Sequence, residues 1–280
     1  MFQATLESVA SFDGVGAHSG KLCSVSISPA AKNAGIVFSN GEHTVEARFD
    51  NVSETTLCTA LSLGDGADIS TIEHLSAALY GLGITNALIE TKDPEIPILD
   101  GSALPFVQKF LSVGIKKQSS RMKMLKVLVP IKVQEGEKWI SLSPANSFSI
   151  NIKCDFTSKG LETRETSFDF SENDFTKEIA LARTFGFFSD AEFLRKNNLA
   201  KGASLDNCVV FDDVGRPINK EGLRLPNEPV RHKILDVIGD LSLTRCNIVG
   251  RFDGFCPSHR INNRLLHALF EKDTNYEITQ

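Results

Sequence analysis

The strongest constraint on the fold is an internal echo. "CSVSISPAAKNAGIVFSN", residues 23–40, and "KWISLSPANSFSINIKCDF", residues 138–156, share one plan: an alternating strand, the tripeptide Ser-Pro-Ala, then a second alternating strand. Apolar residues at every second position turn one face of each strand toward a core. More strand-like sequence follows each copy, and then a helical stretch: "STIEHLSAALYGLG" in the first half, "EPVRHKILDVIGDLSL" in the second. The repetition predicts two similar α+β units. "KKQSSRMK", residues 116–123, is polar and basic without apolar periodicity, and is the expected join between domains spanning 1–120 and 121–280. Residues 155–175 are polar and read as an insert or long loop.

Composition narrows the classes of function. A chain of 280 residues with 41% apolar and 23% charged residues is long enough for a substantial core and ordinary for a soluble protein. A net charge of −5 argues against a nucleic-acid partner held by bulk charge. The sequence has no apolar run of transmembrane length, and its start, "MFQATLESVA", lacks a basic segment followed by an apolar one. The expectation is an unprocessed cytoplasmic protein with no transmembrane segment. Six cysteines, at 23, 58, 154, 208, 246 and 256, show no C-x-x-C pair and are expected to be reduced thiols. Cys256-x-x-His259 is a weak zinc signal without a second such pair.

Four stretches carry potential chemistry. "DGVGAHSGK", residues 13–21, fails the phosphate-loop spacing and reads as a tight turn between strands. In "STIEHLSAAL", Ser70 and Glu73 fit an S-x-x-E capping box, which offers Glu73 a purely structural role, and His74 follows about 100° around the helix. "DPEIPILDGSA", residues 93–103, is a loop rich in turn residues. "RHKILDVIGD", residues 231–240, is the strongest. His232, Asp236 and Asp240 recur at i, i+4 and i+8, a stripe separate from apolar Leu235, Val237 and Ile238. His232 and Asp236 on one helix face can bind one metal ion or remain a satisfied polar stripe. A catalytic zinc needs a third ligand and an open position. His43, in the turn-like "NGEHT", and His267, on "NNRLLHALF", have sufficient structural roles; spacing does not choose among His18, His74 and His259.

Taken together, "GVGAHSG", "TTLCTAL", "STIEHLSAALYGLGI", "EIPILDGSA", "ARTFGF", "VRHKILDVIGDL" and "SHRINNRLL" resemble, in order and spacing, the UDP-3-O-acyl-N-acetylglucosamine deacetylases. The resemblance covers about residues 4–270. It implies a metal-dependent hydrolase that releases acetate from a UDP-3-O-acyl-N-acetylglucosamine, the committed step of lipid A synthesis. It implies two α+β sandwich domains facing each other across the active site, with Glu73 and His74 from the first and His232, Asp236 and His259 from the second. By resemblance His74, His232 and Asp236 hold Zn2+, although Fe2+ suits the same donors. Glu73 is then the general base, His259 the general acid with Asp240 as its partner, Thr184 an oxyanion donor and Lys233 a substrate contact. Substrate contacts fall on Phe185, Asp155, Phe156 and His18. An acyl passage falls on residues 189–210, with Ala191, Leu194, Leu199, Ala200 and Leu205 as lining. The family's D-F-x-H-P element reads "DFTSK" here, so Asp155 and Phe156 match while Ser158 and Lys159 do not. The rival reading is a non-catalytic sugar-nucleotide binding protein on the same fold.

Overall fold

The computed structural model describes residues 1–197 and 199–280. The first half runs through strands β1 (Phe2–Leu6), β2 (Ala10–Val15), β3 (Leu22–Pro29), β4 (Ile36–Ser39) and β5 (Thr44–Glu46). A meander follows, β6 (Val52–Glu54), β7 (Ala60–Gly64) and β8 (Ala67–Ile69). Helix α1 (Glu73–Gly81), β9 (Ala87–Glu90), helix α2 (Leu104–Val113) and β10 (Ile115–Arg121) complete it. The second half repeats the plan with β11 (Met124–Val127), β12 (Ile131–Glu135), β13 (Lys138–Ser143), β14 (Phe148–Cys154) and β15 (Arg164–Asp169). In place of the meander it inserts the short helices α3 (Phe175–Glu178) and α4 (Ala191–Lys196) and the parallel pair β16 (Phe185–Phe187) and β17 (Val209–Phe211). It closes with α5 (Glu228–Leu241), β18 (Asn247–Phe255), α6 (His259–Phe270) and β19 (Tyr276–Thr279).

The echo is a true structural repeat. The first half orders its strands β2-β3-β9-β4-β5, and the second β12-β13-β18-β14-β15. Each order has the same senses: antiparallel, antiparallel, parallel, antiparallel. The helix before the central strand is α1 in one half and α5 in the other, and the helix after it is α2 or α6. Among the described residues no sheet mixes strands from before and after residues 122–123. The helices α1 and α5 pack on each other, so the two units meet helix to helix with their sheets outside.

Two segments differ from the sequence reading. Residues 116–121 form most of β10, paired antiparallel to β1, rather than an unstructured join. Within 155–175 lies most of β15, paired antiparallel to β14. Both strands lie at sheet margins with one face in water, so neither needs an apolar alternation; in β15 only Phe168 is buried. The tight turn and hairpin are as expected: Gly16 N–H bonds Lys21 O at 2.9 Å, and His43 follows the turn between β4 and β5. All six cysteines are free, and no helix among the described residues is long and apolar enough to cross a membrane.

The junction is set by burial on α5. Ile234, Leu235, Val237, Ile238 and Leu241 are fully buried, each contributing about 1.5–3 kcal/mol of transfer free energy. Unlike an ordinary surface helix, α5 also buries its polar stripe, leaving only Arg231 and Lys233 partly open. Close approach of α1 depends on Gly239: a Cβ there would lie 2.2 Å from the Glu73 carbonyl oxygen. Because that neighbour is backbone, it cannot rotate away. Gly239→Ala is therefore expected to lower stability by about 1–3 kcal/mol, read as a lower midpoint in thermal unfolding. Gly186→Ala, whose Cβ would meet only Cys208 Sγ at 3.9 Å, should leave the midpoint nearly unchanged.

Candidate active site

Burial makes the α5 stripe demanding. His232, Asp236 and Asp240 are 2%, 4% and 3% exposed, so each polar group must find a partner inside the protein. His232 Nδ1 lies 3.0 Å from the Ala182 carbonyl oxygen, which accepts the ring N–H and leaves Nε2 with its lone pair. That Nε2 is 3.3 Å from Asp236 Oδ1. The first turn of α1 brings His74 to the same place, its Nε2 4.0 Å from Asp236 Oδ1 and its ring perpendicular to His232 at 4.9 Å. Of the histidines that spacing left open, His74 is the one grouped with His232 and Asp236.

These three side chains fit a divalent metal ion. Their donor atoms all lie within 4.8 Å of one another, and all three residues are buried. Tetrahedral ligands about 2.0–2.1 Å from an ion stand roughly 3.3 Å apart, the separation of His232 Nε2 from Asp236 Oδ1, while His74 Nε2 stands 4.0 Å from the same oxygen. The protonation states also suit. Burial, reinforced by His232, lowers the His74 pKa to about 3, and burial lowers that of His232, so both imidazoles are neutral donors. Burial works against the Asp236 charge, but His232 and the Lys233 ammonium hold the carboxyl well below its usual range.

The third stripe residue serves another group. Asp240 Oδ2 is 2.9 Å from His259 Nδ1 and accepts Asn262 Nδ2 at 2.8 Å, both from α6. Its Oδ1 accepts the Thr59 hydroxyl at 2.7 Å. Burial opposes a charge on His259, but Asp240 and then Glu73 outweigh it and raise its pKa to about 10. Glu73 stands opposite, its Oε1 3.9 Å from His259 Nε2. Burial raises the Glu73 carboxyl to about 7, opposed by the His259 charge. A proton acceptor and a proton donor therefore flank the cluster of metal-type donors.

The capping box does not form. Glu73 is the first residue of α1, and its Oε2 accepts the Thr59 N–H at 3.0 Å, while the Ser70 hydroxyl bonds the Pro94 carbonyl. Ser70 and the two residues after it precede the helix, with Thr71 at φ 60°, so Ser70 cannot reach the first-turn amides. Glu73 is freed from a capping role.

Other predicted residues differ in burial and in partners. Thr184 follows Ala182 and Arg183; its N–H bonds Gly101 O at 2.7 Å, linking the halves at the rim. Arg183 itself is 1% exposed and bonds Glu228, the first residue of α5, through Nε at 2.9 Å. Phe185 stands edge-on to His232 at 6.4 Å and Phe156 packs on Phe185 at 5.5 Å. Lys233 Nζ bonds Asp236 Oδ2 at 3.0 Å. His18 is half-buried, and its N–H is held by Glu95 Oε1 at 2.8 Å. Asp155 is exposed, and its carboxylate accepts the Thr157 N–H within its own loop at 2.9 Å. Leu194, Leu199 and Ala200 are half-buried, whereas Ala191 and Leu205 are exposed.

Sequence reasoning missed Thr59, Asn262, Glu95, Arg183 and Gly239. Asn262 alone carried a periodic signal, three residues after His259 on the same helix. Thr59 and Glu95 act across 14 to 181 residues of sequence, which no local pattern reports.

The sequence matches known proteins over nearly its whole length. A family model described as UDP-3-O-acyl N-acetylglycosamine deacetylase matches residues 3–271. Curated relatives named UDP-3-O-acyl-N-acetylglucosamine deacetylase, from Shewanella oneidensis and Shewanella baltica, are each 45% identical to this chain. Each alignment covers 99% of this chain and 92% of the relative. The chain belongs to the UDP-3-O-acyl-N-acetylglucosamine deacetylase family.

Proposed function

We propose that this protein removes the N-acetyl group from UDP-3-O-(3-hydroxyacyl)-N-acetylglucosamine, releasing acetate, as the committed, cytoplasmic step of lipid A synthesis. The observation that carries the reading is the juxtaposition of His74, His232 and Asp236 with a carboxylate and an imidazolium 3.9 Å apart. His74, His232 and Asp236 would hold the ion, Zn2+ in this reading, with Fe2+ suited to the same donors. Such an ion supplies Lewis acidity, making water nucleophilic near neutral pH and polarising the amide carbonyl. A non-catalytic sugar-nucleotide binder would give no reason for this buried acid and base.

The protein groups divide the proton transfers. Glu73, with a pKa near neutrality, takes the proton from the attacking water. Its Thr59 N–H contact fixes one carboxylate oxygen and leaves the other facing His259. As the carbonyl carbon becomes tetrahedral, the Thr184 hydroxyl donates to the developing oxyanion, and Lys233 contacts the substrate beside it. His259 passes its Nε2 proton to the departing amine while Asp240 holds Nδ1. The rings of Phe185 and Phe156 flank the sugar, with His18 and Asp155 as further contacts. The acyl chain follows residues 189–210 along Ala191, Leu194, Leu199, Ala200 and Leu205. The exposed Phe188 and Phe193, 62% and 64% accessible, support an apolar passage there. In this reading the chain divides near residues 120/121, at the end of β10, and the centre lies between the two domains.

Deacetylation of the UDP-sugar, followed alongside metal content, tests the reading directly. His74→Ala and Asp236→Ala are each expected to lose bound metal and activity together, because two ligands hold a divalent ion poorly. Full metal stoichiometry in either variant would refute the ligand set.

Glu73→Gln separates base from scaffold. Metal should remain while kcat falls by ~10²-fold or more. A fully active variant would remove Glu73 from the proton path.

The pH profile tests His259. Its raised pKa means that the imidazolium, and the stability it draws from Asp240, are fully present below about pH 6.5 and lost as pH rises toward about 10. Activity that needs this proton should fall on the same alkaline limb. Asp240→Asn removes the largest raising charge, so the limb should move to lower pH. An unmoved limb in pH–rate measurements would take the acid role from His259.

A further inference from the structure

The parallel strands β14 and β18 pair Ile152 with Gly254 and Lys153 with Phe255. One step further, that register sets Cys154 opposite Cys256, and the Cys256 N–H bonds the Lys153 carbonyl at 2.9 Å to hold it there. The Cys256 sulfur therefore sits close to the backbone at Cys154 and Asp155. The Asp155 N–H also donates to Cys256 Sγ, at 3.3 Å. Neighbouring strands lie about 4.8 Å apart, within the Cα separation that a disulfide spans.

The two sulfurs are unequal. Cys154 is 1% exposed, whereas Cys256 is half-buried and within reach of a small solute. The Cys154 S–H, against the effect of burial and with help from the Asp155 N–H, lowers the Cys256 thiol to about 6. The neighbouring Cys256 sulfur, and then burial, push the Cys154 thiol up. One sulfur is suited to attack and the other to resolve.

We propose that Cys154 and Cys256 form an oxidation site: hydrogen peroxide oxidises Cys256, and closure onto Cys154 gives a reversible disulfide that lowers activity. The Cys256 thiolate attacks one peroxide oxygen, the O–O bond breaks, and hydroxide leaves to become water. Cys256 is then a sulfenic acid. The Cys154 sulfur attacks it, the S–O bond breaks, and the hydroxyl departs with the Cys154 proton as a second water. The two sulfurs supply the two electrons that reduce the peroxide, and a dithiol returns them by exchange.

The neighbours explain why activity would respond. Cys154 leads into Asp155 and Phe156, and Phe156 packs on Phe185, which faces His232. Cys256 leads through Pro257 and Ser258 into His259. A covalent bond fixes the sulfurs about 2.05 Å apart and takes the thiolate acceptor from the Asp155 N–H. Both segments must then shift at their bases.

The activity arm rests on the deacetylase reading; the chemical arm does not. Metal-loaded enzyme is treated with hydrogen peroxide, quenched with catalase, alkylated and mapped by peptide mass. The expected result is a Cys154–Cys256 linked peptide, loss of two of the six titratable thiols, and a fall in deacetylation reversed by dithiothreitol. Cys256→Ser should deacetylate normally without peroxide and keep its rate after peroxide. Cys154→Ala should accumulate a Cys256 sulfenic acid that dimedone traps; if that buried substitution prevents folding, the wild-type peptide map still decides. Absence of the linked peptide overturns the proposal, as does linkage with an unchanged rate. Peroxide inactivation of Cys256→Ser equal to wild type overturns it too, by assigning the loss to another group. Linkage in a protein inactive from the start would instead fault the deacetylase reading.

Discussion

Everything at the centre depends on how closely α1 can lie against α5. Each helix alone carries an incomplete set: Glu73 and His74 on one, His232, Asp236 and Asp240 on the other. Gly239 lets the Glu73 backbone into the space that any side chain would fill. The apolar residues of α5 supply the free energy that drives the approach, while the polar stripe constrains its register. Burying those charges would be costly in isolation; Asp240 is met by Thr59 and by His259 and Asn262 of α6, and Asp236 by Lys233 of its own helix.

The repeat explains why partners arrive from so many directions. Helices α1 and α5 occupy equivalent places in the two halves, each ahead of a central strand, and both bring histidine to the junction. The halves then diverge in what they insert. The meander of the first half supplies Thr59, which touches both Glu73 and Asp240. The longer insert of the second supplies Ala182, Arg183 and Thr184 in one short segment. That segment orients His232 through a carbonyl, clamps the start of α5 through Glu228, and bridges back to Gly101. Similar scaffolds thus carry different chemical duties, set by what fills one equivalent gap.

Legibility in the sequence followed the range of each interaction. The Ser-Pro-Ala echo foretold the repeated sheets because buried strands must alternate, and the i, i+4, i+8 stripe foretold the functional helix because helical spacing is local. The same local reasoning assigned Glu73 a cap that does not form, since the pattern is blind to Thr71 and the chain path before the helix. Strands β10 and β15 were illegible because strands with one wet face need no apolar code. The choice of His74 over His18 and His259 was beyond spacing, and came from family resemblance until the packing of α1 on α5 supplied a physical reason. Thr59 and Gly239 carry no chemical signature at all; their meaning lies wholly in what sits across from them.

The burial of α5 on every side has a consequence for motion. Amide hydrogens on a helix with a solvent face can exchange through small local openings, but those of α5 are covered by α1, α6 and the strands beneath. They exchange with solvent only when the two halves part, an event close to global unfolding in free energy. Short α4, which exposes Phe193, lies at the opposite end of that scale. The molecule therefore holds Glu73, His232, Asp236 and Asp240 on its most slowly exchanging backbone, so that their mutual spacing outlasts local openings elsewhere in the chain.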